Sequence, residues 1–145
     1  MAVIRPMVEE DLDRVMKLEQ LIFPNPWRRL FFLSDIHRPD CLCCVAEENQ
    51  EVVGYLVAWG RDEVHLANLA VAPEKRNQGI GHLLMERLFQ FSKEQGAASI
   101  YLEVRKSNAV ARHFYSRLGF VPTYIRKGYY ENGEDAVIME LALGH

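Results

Sequence analysis

Apolar residues recur in this chain with two different periods, and the switches between them mark out its elements. Residues 3–5 read as a short first strand. From 9 to 23 the apolar positions Leu12, Val15, Met16 and Ile22 follow helical spacing. Pro24 and Pro26 close that helix and open a second one through Trp27, Leu30, Phe31 and Ile36, since proline is tolerated in a first turn. Apolar runs at 42–46, 52–59 and 64–71 predict three strands, parted by the turns Glu48-Asn49-Gln50 and Gly60-Arg61-Asp62. Residues 79–91 are amphipathic, with Ile80, Leu83, Leu84, Leu88 and Phe91 on one face. Gly96 follows, as glycine commonly does at a helix end. A strand at 99–104, a helix through Phe114 and Leu118, a long strand at 120–130 and a last strand at 136–143 complete the chain. Asn132-Gly133 marks the hairpin between the last two. The predicted order is βααβββαβαββ. Its strand–helix–strand centre places the strands ending at Val71 and Val104 side by side and parallel.

The segment from Asn68 to Gly81 carries the first chemistry. An apolar strand stops at Pro73, a polar loop follows, and Gly79-Ile80-Gly81 opens a helix. The first amides of a helix lack internal partners and sit at the positive end of its dipole. Glycines allow close approach, so the turn is suited to a pyrophosphate. No Gly-Lys-Ser/Thr follows, and the third glycine of a dinucleotide fingerprint is replaced by Leu84, which argues against a P-loop or a Rossmann site. Arg76-Asn77-Gln78-Gly79-Ile80-Gly81 resembles the R/Q-x-x-G-x-G/A signature of the GCN5-related N-acetyltransferases. The resemblance implies that this turn wraps the pyrophosphate of acetyl-coenzyme A. It also implies that backbone groups around Leu69, Ala70 and Val71 hold the pantetheine arm and acetyl carbonyl, in a splay between the two central strands.

A second constellation runs from Leu102 to Phe120. Glu103 stands near the C-terminal end of a parallel strand, where α/β sheets place ligands. Amine acetylation needs a proton acceptor, an oxyanion donor and a proton donor for the leaving thiolate. Glu103 and Tyr115 have the chemistry for the two proton transfers, and Asn108 could fix the pantetheine. Each has a plainer reading: Glu103 paired with Arg105, Tyr115 as a packed aromatic, Asn108 as a helix cap.

The wider pattern resembles the RimI-type branch of the family, which acetylates the N-terminal alanine of a small-subunit ribosomal protein. The similar pieces are Phe23-Pro24-x-Pro26-Trp27, Asn68 to Val71, the Gly79 turn, Leu102 to Arg105, Ser107-Asn108, Tyr115, Leu118 to Phe120, Ile125 to Tyr130 and Glu134 to Met139. The resemblance implies Glu103 as proton acceptor and Tyr115 as proton donor, in direct transfer within a ternary complex. The branch's tighter Phe-Pro-Trp is here Phe-Pro-Asn-Pro-Trp, at the substrate mouth. Trp27, Tyr129 and Tyr130 are the candidate acceptor contacts. An α-amine titrates at about 7.7–8.0 and a lysine at about 10.4, so a carboxylate base deprotonates the first more cheaply. Acetylation of a lysine or a small amine remains an alternative, as does a coenzyme A-binding module without turnover.

Composition narrows the rest. A chain of 145 residues, 49% apolar, suits one domain with one core; the resemblance implies an acetyltransferase domain over 1–145 with a mixed, splayed α/β sheet and helices on both faces. The net charge of −3 gives no basic face for nucleic acid, and no apolar run matches a bilayer. Cys41, Cys43 and Cys44 form no disulfide framework and suggest a reduced, cytoplasmic setting. His37, His65, His82, His113 and His145 show no metal-ligand spacing, so no metal is expected. His82 falls in the first turn after Gly81, placed either toward the coenzyme phosphates or in solvent.

Overall fold

The computed structural model describes residues 1–144, and His145 lies outside them. The elements are β1 (Val3–Pro6), α1 (Leu12–Ile22), α2 (Arg29–Ile36), β2 (Cys41–Glu48), β3 (Glu51–Gly60), β4 (Glu63–Val71), α3 (Ile80–Glu94), β5 (Ser99–Arg105), α4 (Ala109–Arg117), β6 (Val121–Arg126) and β7 (Ala136–Ala142). This is the predicted order. Two boundaries differ in ways that matter for the site. Trp27 precedes α2 instead of lying in it, because Arg28 is extended and the Trp27 N–H is taken by the Glu19 carboxylate. The strand expected at 120–130 stops at Arg126. Tyr129 and Tyr130 therefore ride on a loop, where the Gly128 N–H is bound by Asp135 and the Tyr130 N–H by the Glu134 carbonyl.

The strands form one sheet in the order β1-β2-β3-β4-β5-β7-β6. Every pair is antiparallel except β4 with β5. The β4–β5 ladder is short: Glu63, Val64 and His65 pair with Ser99, Ile100 and Tyr101, and then the strands part. A bulge explains the divergence. Val57 faces Asn68 and the next residue, Ala58, faces Leu66, so Ala67 is an extra residue on β4. A bulge bends its strand and raises its twist. It also reverses the alternation of side chains. Before it, Val64 and Leu66 pack with α3; after it, Asn68 and Ala70 point to the α1 side.

Two apolar clusters sandwich the sheet. Leu84, Met85, Leu88 and Phe91 of α3 pack on Leu56, Ile100 and Leu102, with Phe114 and Tyr115 of α4 at the margin. On the opposite face Leu12, Val15, Leu18 and Phe32 pack on Val45, Tyr55 and Val57. Cys44 is buried on β2, and burial pushes its thiol up to about 12. No helix among the described residues is long and apolar enough to cross a membrane.

Candidate active site

The gap between β4 and β5 organises the site. Beyond His65 the β4 backbone has no ladder partner on β5, and unpaired strand groups away from water need partners from elsewhere. Leu69, Ala70 and Val71 lie on this stretch. At its end, Pro73–Lys75 forms a single 3₁₀ turn and the chain enters α3 through Gly79.

Gly79 is the N-cap of α3 at φ 84°, a left-handed conformation that disfavours side chains. A Cβ there would meet nothing within 4 Å, and no side chain caps the helix. The first-turn amides of Ile80, Gly81 and His82 thus open onto an uncrowded cradle, which fits an anionic group such as a pyrophosphate. Gly81 has a second reason to be glycine: a Cβ would stand 3.3 Å from Phe114 Cζ of α4. Asn77, also left-handed at φ 64°, and Gln78 are exposed around this turn. Arg76 Nε reaches the Val71 carbonyl at 3.4 Å, leaving the rest of its guanidinium exposed. The Ile80 side chain is buried in the core, so only its backbone faces the cradle. His82 is exposed, its ring 5.2 Å from that of Phe114. Asn108 caps α4, accepting from the Ala111 N–H at 3.1 Å; its plainer reading is realised, and its amide nitrogen remains for a ligand.

Across the gap, Ile100, Leu102 and Val104 of β5 pack against the α3 side, so Tyr101, Glu103 and Arg105 project to the other face. Glu103 does not pair with Arg105. Arg105 instead binds Glu131 at 2.7 Å and Glu134 at 3.4 Å and stacks over Tyr130 at 4.0 Å, fastening the 127–135 loop. Glu103 Oε1 meets His65 Nε2 at 2.5 Å, and the Tyr129 hydroxyl lies 3.5 Å from Oε2. The imidazole is stacked on Tyr101 at 4.5 Å, with Trp59 edge-on. Burial pushes the Glu103 carboxyl up, but the hydrogen bond and charge of His65, with Arg126 beyond, hold it below its ordinary range. Glu103 is therefore an anion at neutral pH. His65 is the neighbour of Glu103 that the sequence reading passed over. Its signal was its place between Val64 and Leu66, opposite the core face, but the strand register that joins it to Glu103 is not written locally.

Tyr115 lies on α4 between the rings of Phe114 and Phe120. Burial raises its phenol well above the usual range, so it stays protonated, and its hydroxyl has no hydrogen-bond partner among the described residues. The mouth above Glu103 has two lips. One is the connection before α2, where Trp27 packs on Phe32 and Trp59. The other is the loop carrying Tyr129 and Tyr130. Among the described residues no three His, Cys, Asp or Glu side chains come together as metal ligands.

Comparison with known proteins agrees with this geometry. Residues 12–120 match the model of the acetyltransferase (GNAT) family. The ribosomal protein bS18-alanine N-acetyltransferase of Escherichia coli K12 is 32% identical over 146 residues, 99% of each chain. An N-alpha-acetyltransferase of Sulfurisphaera tokodaii is 33% identical over 147 residues, covering 92% of this chain and 88% of the relative. The crystal structure of the Escherichia coli ribosomal-protein-S18-alanine N-acetyltransferase superposes with a TM-score of 0.90 at 34% identity, covering 100% of this chain and 96% of that one.

Proposed function

This chain belongs to the GNAT family of acetyltransferases, and on that premise we propose that it acetylates a protein N-terminal α-amino group, with the N-terminal alanine of a small-subunit ribosomal protein as acceptor. The observation that carries the reading is the Glu103–His65 pair at the opening of the β4–β5 gap, beneath the Tyr129 hydroxyl. The relatives named for N-terminal acetylation supply the acceptor class.

Acetyl-coenzyme A supplies an activated acetyl thioester, and the chain's groups fit it. The α3 amides and the Gly79 cradle take the pyrophosphate, with Arg76, Asn77, Gln78 and His82 at its rim. The β4 backbone at Leu69, Ala70 and Val71, paired with β3 but open toward β5, receives the arm, and Asn108 closes the α4 side. His65 occupies Oε1 of Glu103, which leaves Oε2 as the oxygen that takes the ammonium proton. The freed amine then attacks within the ternary complex. A backbone N–H of β4 stabilises the oxyanion; as the intermediate collapses the Tyr115 hydroxyl gives its proton to the departing sulfur, and the proton shed by the amide nitrogen restores the phenol.

The acceptor is tested with two peptides. One begins with a free alanine; the other has a blocked N-terminus and an internal lysine. The first is expected to be acetylated much faster near neutral pH, because its amine titrates about 2.5 units lower. Faster release of thiol with the blocked, lysine-bearing peptide overturns the α-amine reading.

The cofactor cradle is tested by Gly81→Val. Its branched side chain crowds Phe114 and the α3 N-terminus together. Calorimetry is expected to show much weaker acetyl-coenzyme A binding, with the circular dichroism spectrum retained. Unchanged affinity removes this turn from the cofactor site.

A further inference from the structure

Glu19 is a carboxyl group in the wrong place for a surface helix. It lies near the end of α1 with 1% of its surface exposed. Buried charged groups survive only when hydrogen-bonded or paired. No cation pairs with Glu19 among the described residues; three donors from three separate elements do. Oε1 accepts from the Tyr55 hydroxyl of β3 at 2.7 Å and from Asn68 Nδ2 of β4 at 2.9 Å. Oε2 accepts from the Trp27 backbone N–H at 2.9 Å.

These partners are not an arbitrary set. Asn68 directly precedes the Leu69–Val71 stretch on the open side of the gap, and it points to this face only because the Ala67 bulge reversed the alternation. Trp27 packs on Trp59, whose ring stands edge-on to His65, the partner of Glu103. One buried carboxylate thus ties β4 to the Trp27 connection beside the Glu103–His65 pair. Pro24 and Pro26 offer no N–H, and Arg28 is extended.

We propose that Glu19 is a positioning residue for the acceptor: it fixes the Trp27 connection against β4, so that an incoming peptide N-terminus meets Glu103 in register with the acetyl carbonyl. The role rests on the acceptor site proposed above, and it works through hydrogen bonds. A glutamine at 19 keeps the bond that matters for this role: its oxygen accepts from the Trp27 N–H at the same reach.

The test compares four variants of the full chain. Glu19→Leu leaves three donors without an acceptor, and Glu19→Asp withdraws the carboxylate by one methylene. Glu19→Gln keeps the side-chain length and an oxygen for the Trp27 N–H. Val15→Ala loosens the same helix without touching them. The peptide KM is expected to rise about tenfold or more in Glu19→Leu and Glu19→Asp, the scale of one lost bond to a charged group. The acetyl-coenzyme A Kd should change little. Hydrogen exchange at the Trp27 amide should accelerate in the same two variants. Glu19→Gln should keep both values near wild type, and Val15→Ala should lower Tm while leaving the peptide KM alone. If Glu19→Leu does not fold, Glu19→Asp carries the comparison. The proposal is overturned if exchange at the Trp27 amide is unchanged in Glu19→Asp, or if Val15→Ala raises the peptide KM equally. Exchange needs no substrate. Accelerated exchange in an enzyme that acetylates only side-chain amines would therefore overturn the acceptor reading while leaving the anchor standing.

Discussion

Replacing Tyr115 with phenylalanine is expected to lower kcat by about 10²–10⁴-fold, the usual contribution of a general acid. The change removes one oxygen. The ring contacts with Phe114 and Phe120 remain, and no hydrogen bond within the protein is lost, so Tm should move little. Burial keeps the phenol protonated, and with no internal partner its hydroxyl is left free to meet a leaving thiolate in the proposed reaction. Acetyl-coenzyme A affinity should stay close to wild type, which separates the acid role from a binding role. Steady-state kinetics with calorimetry checks both. A variant that turns over normally makes Tyr115 a packing residue.

The second large effect is expected at Glu103. Glu103→Gln preserves shape and still accepts a hydrogen bond from His65, but it cannot take a proton from the acceptor ammonium. The rate near neutral pH is expected to fall by a similar factor, about 10²–10⁴-fold. The pH dependence gives the sign. Below the amine's pKa of about 7.7–8.0 nearly every acceptor is an ammonium and needs a base. Above it the free amine is already present, so the defect shrinks as pH rises. A defect that is constant across this range would show that Glu103 acts by position alone. Stability carries an independent check. The folded pKa of Glu103 lies below its ordinary 4.5, so its ionised form stabilises the fold above that value. The contribution is lost as pH falls through the folded pKa. Glu103→Gln should therefore flatten the acid side of the stability curve, read from Tm against pH.

Much of this site was legible before any coordinates. The element order follows from hydrophobic period, because burying one face of a helix or strand forces that repeat. The Gly79 turn was legible because a strand stop, a proline and paired glycines describe a helix N-terminus open to an anion. Glu103 and Tyr115 were legible as types of group at particular places along the elements. Other features depend on distant partners. The strand expected to run to Tyr130 ends at Arg126 because Arg105, far away in sequence, grips Glu131 and Glu134 and holds the segment as a loop. That loop, and not a sheet face, brings Tyr129 to Glu103. Trp27 leaves its expected helix because a buried carboxylate claims its N–H.

By itself, then, the sequence determined the order of the elements, the glycine turn that opens α3 and the candidates for acid and base, all of which are local properties of pattern and chemistry. The tertiary structure alone decided the short β4–β5 ladder, the bulge at Ala67 and the meeting of His65 with Glu103. The reason is register. Alternation tells which side chains share a face, but a slip of one residue changes every neighbour across the strands. Only the packed sheet chooses among the slips.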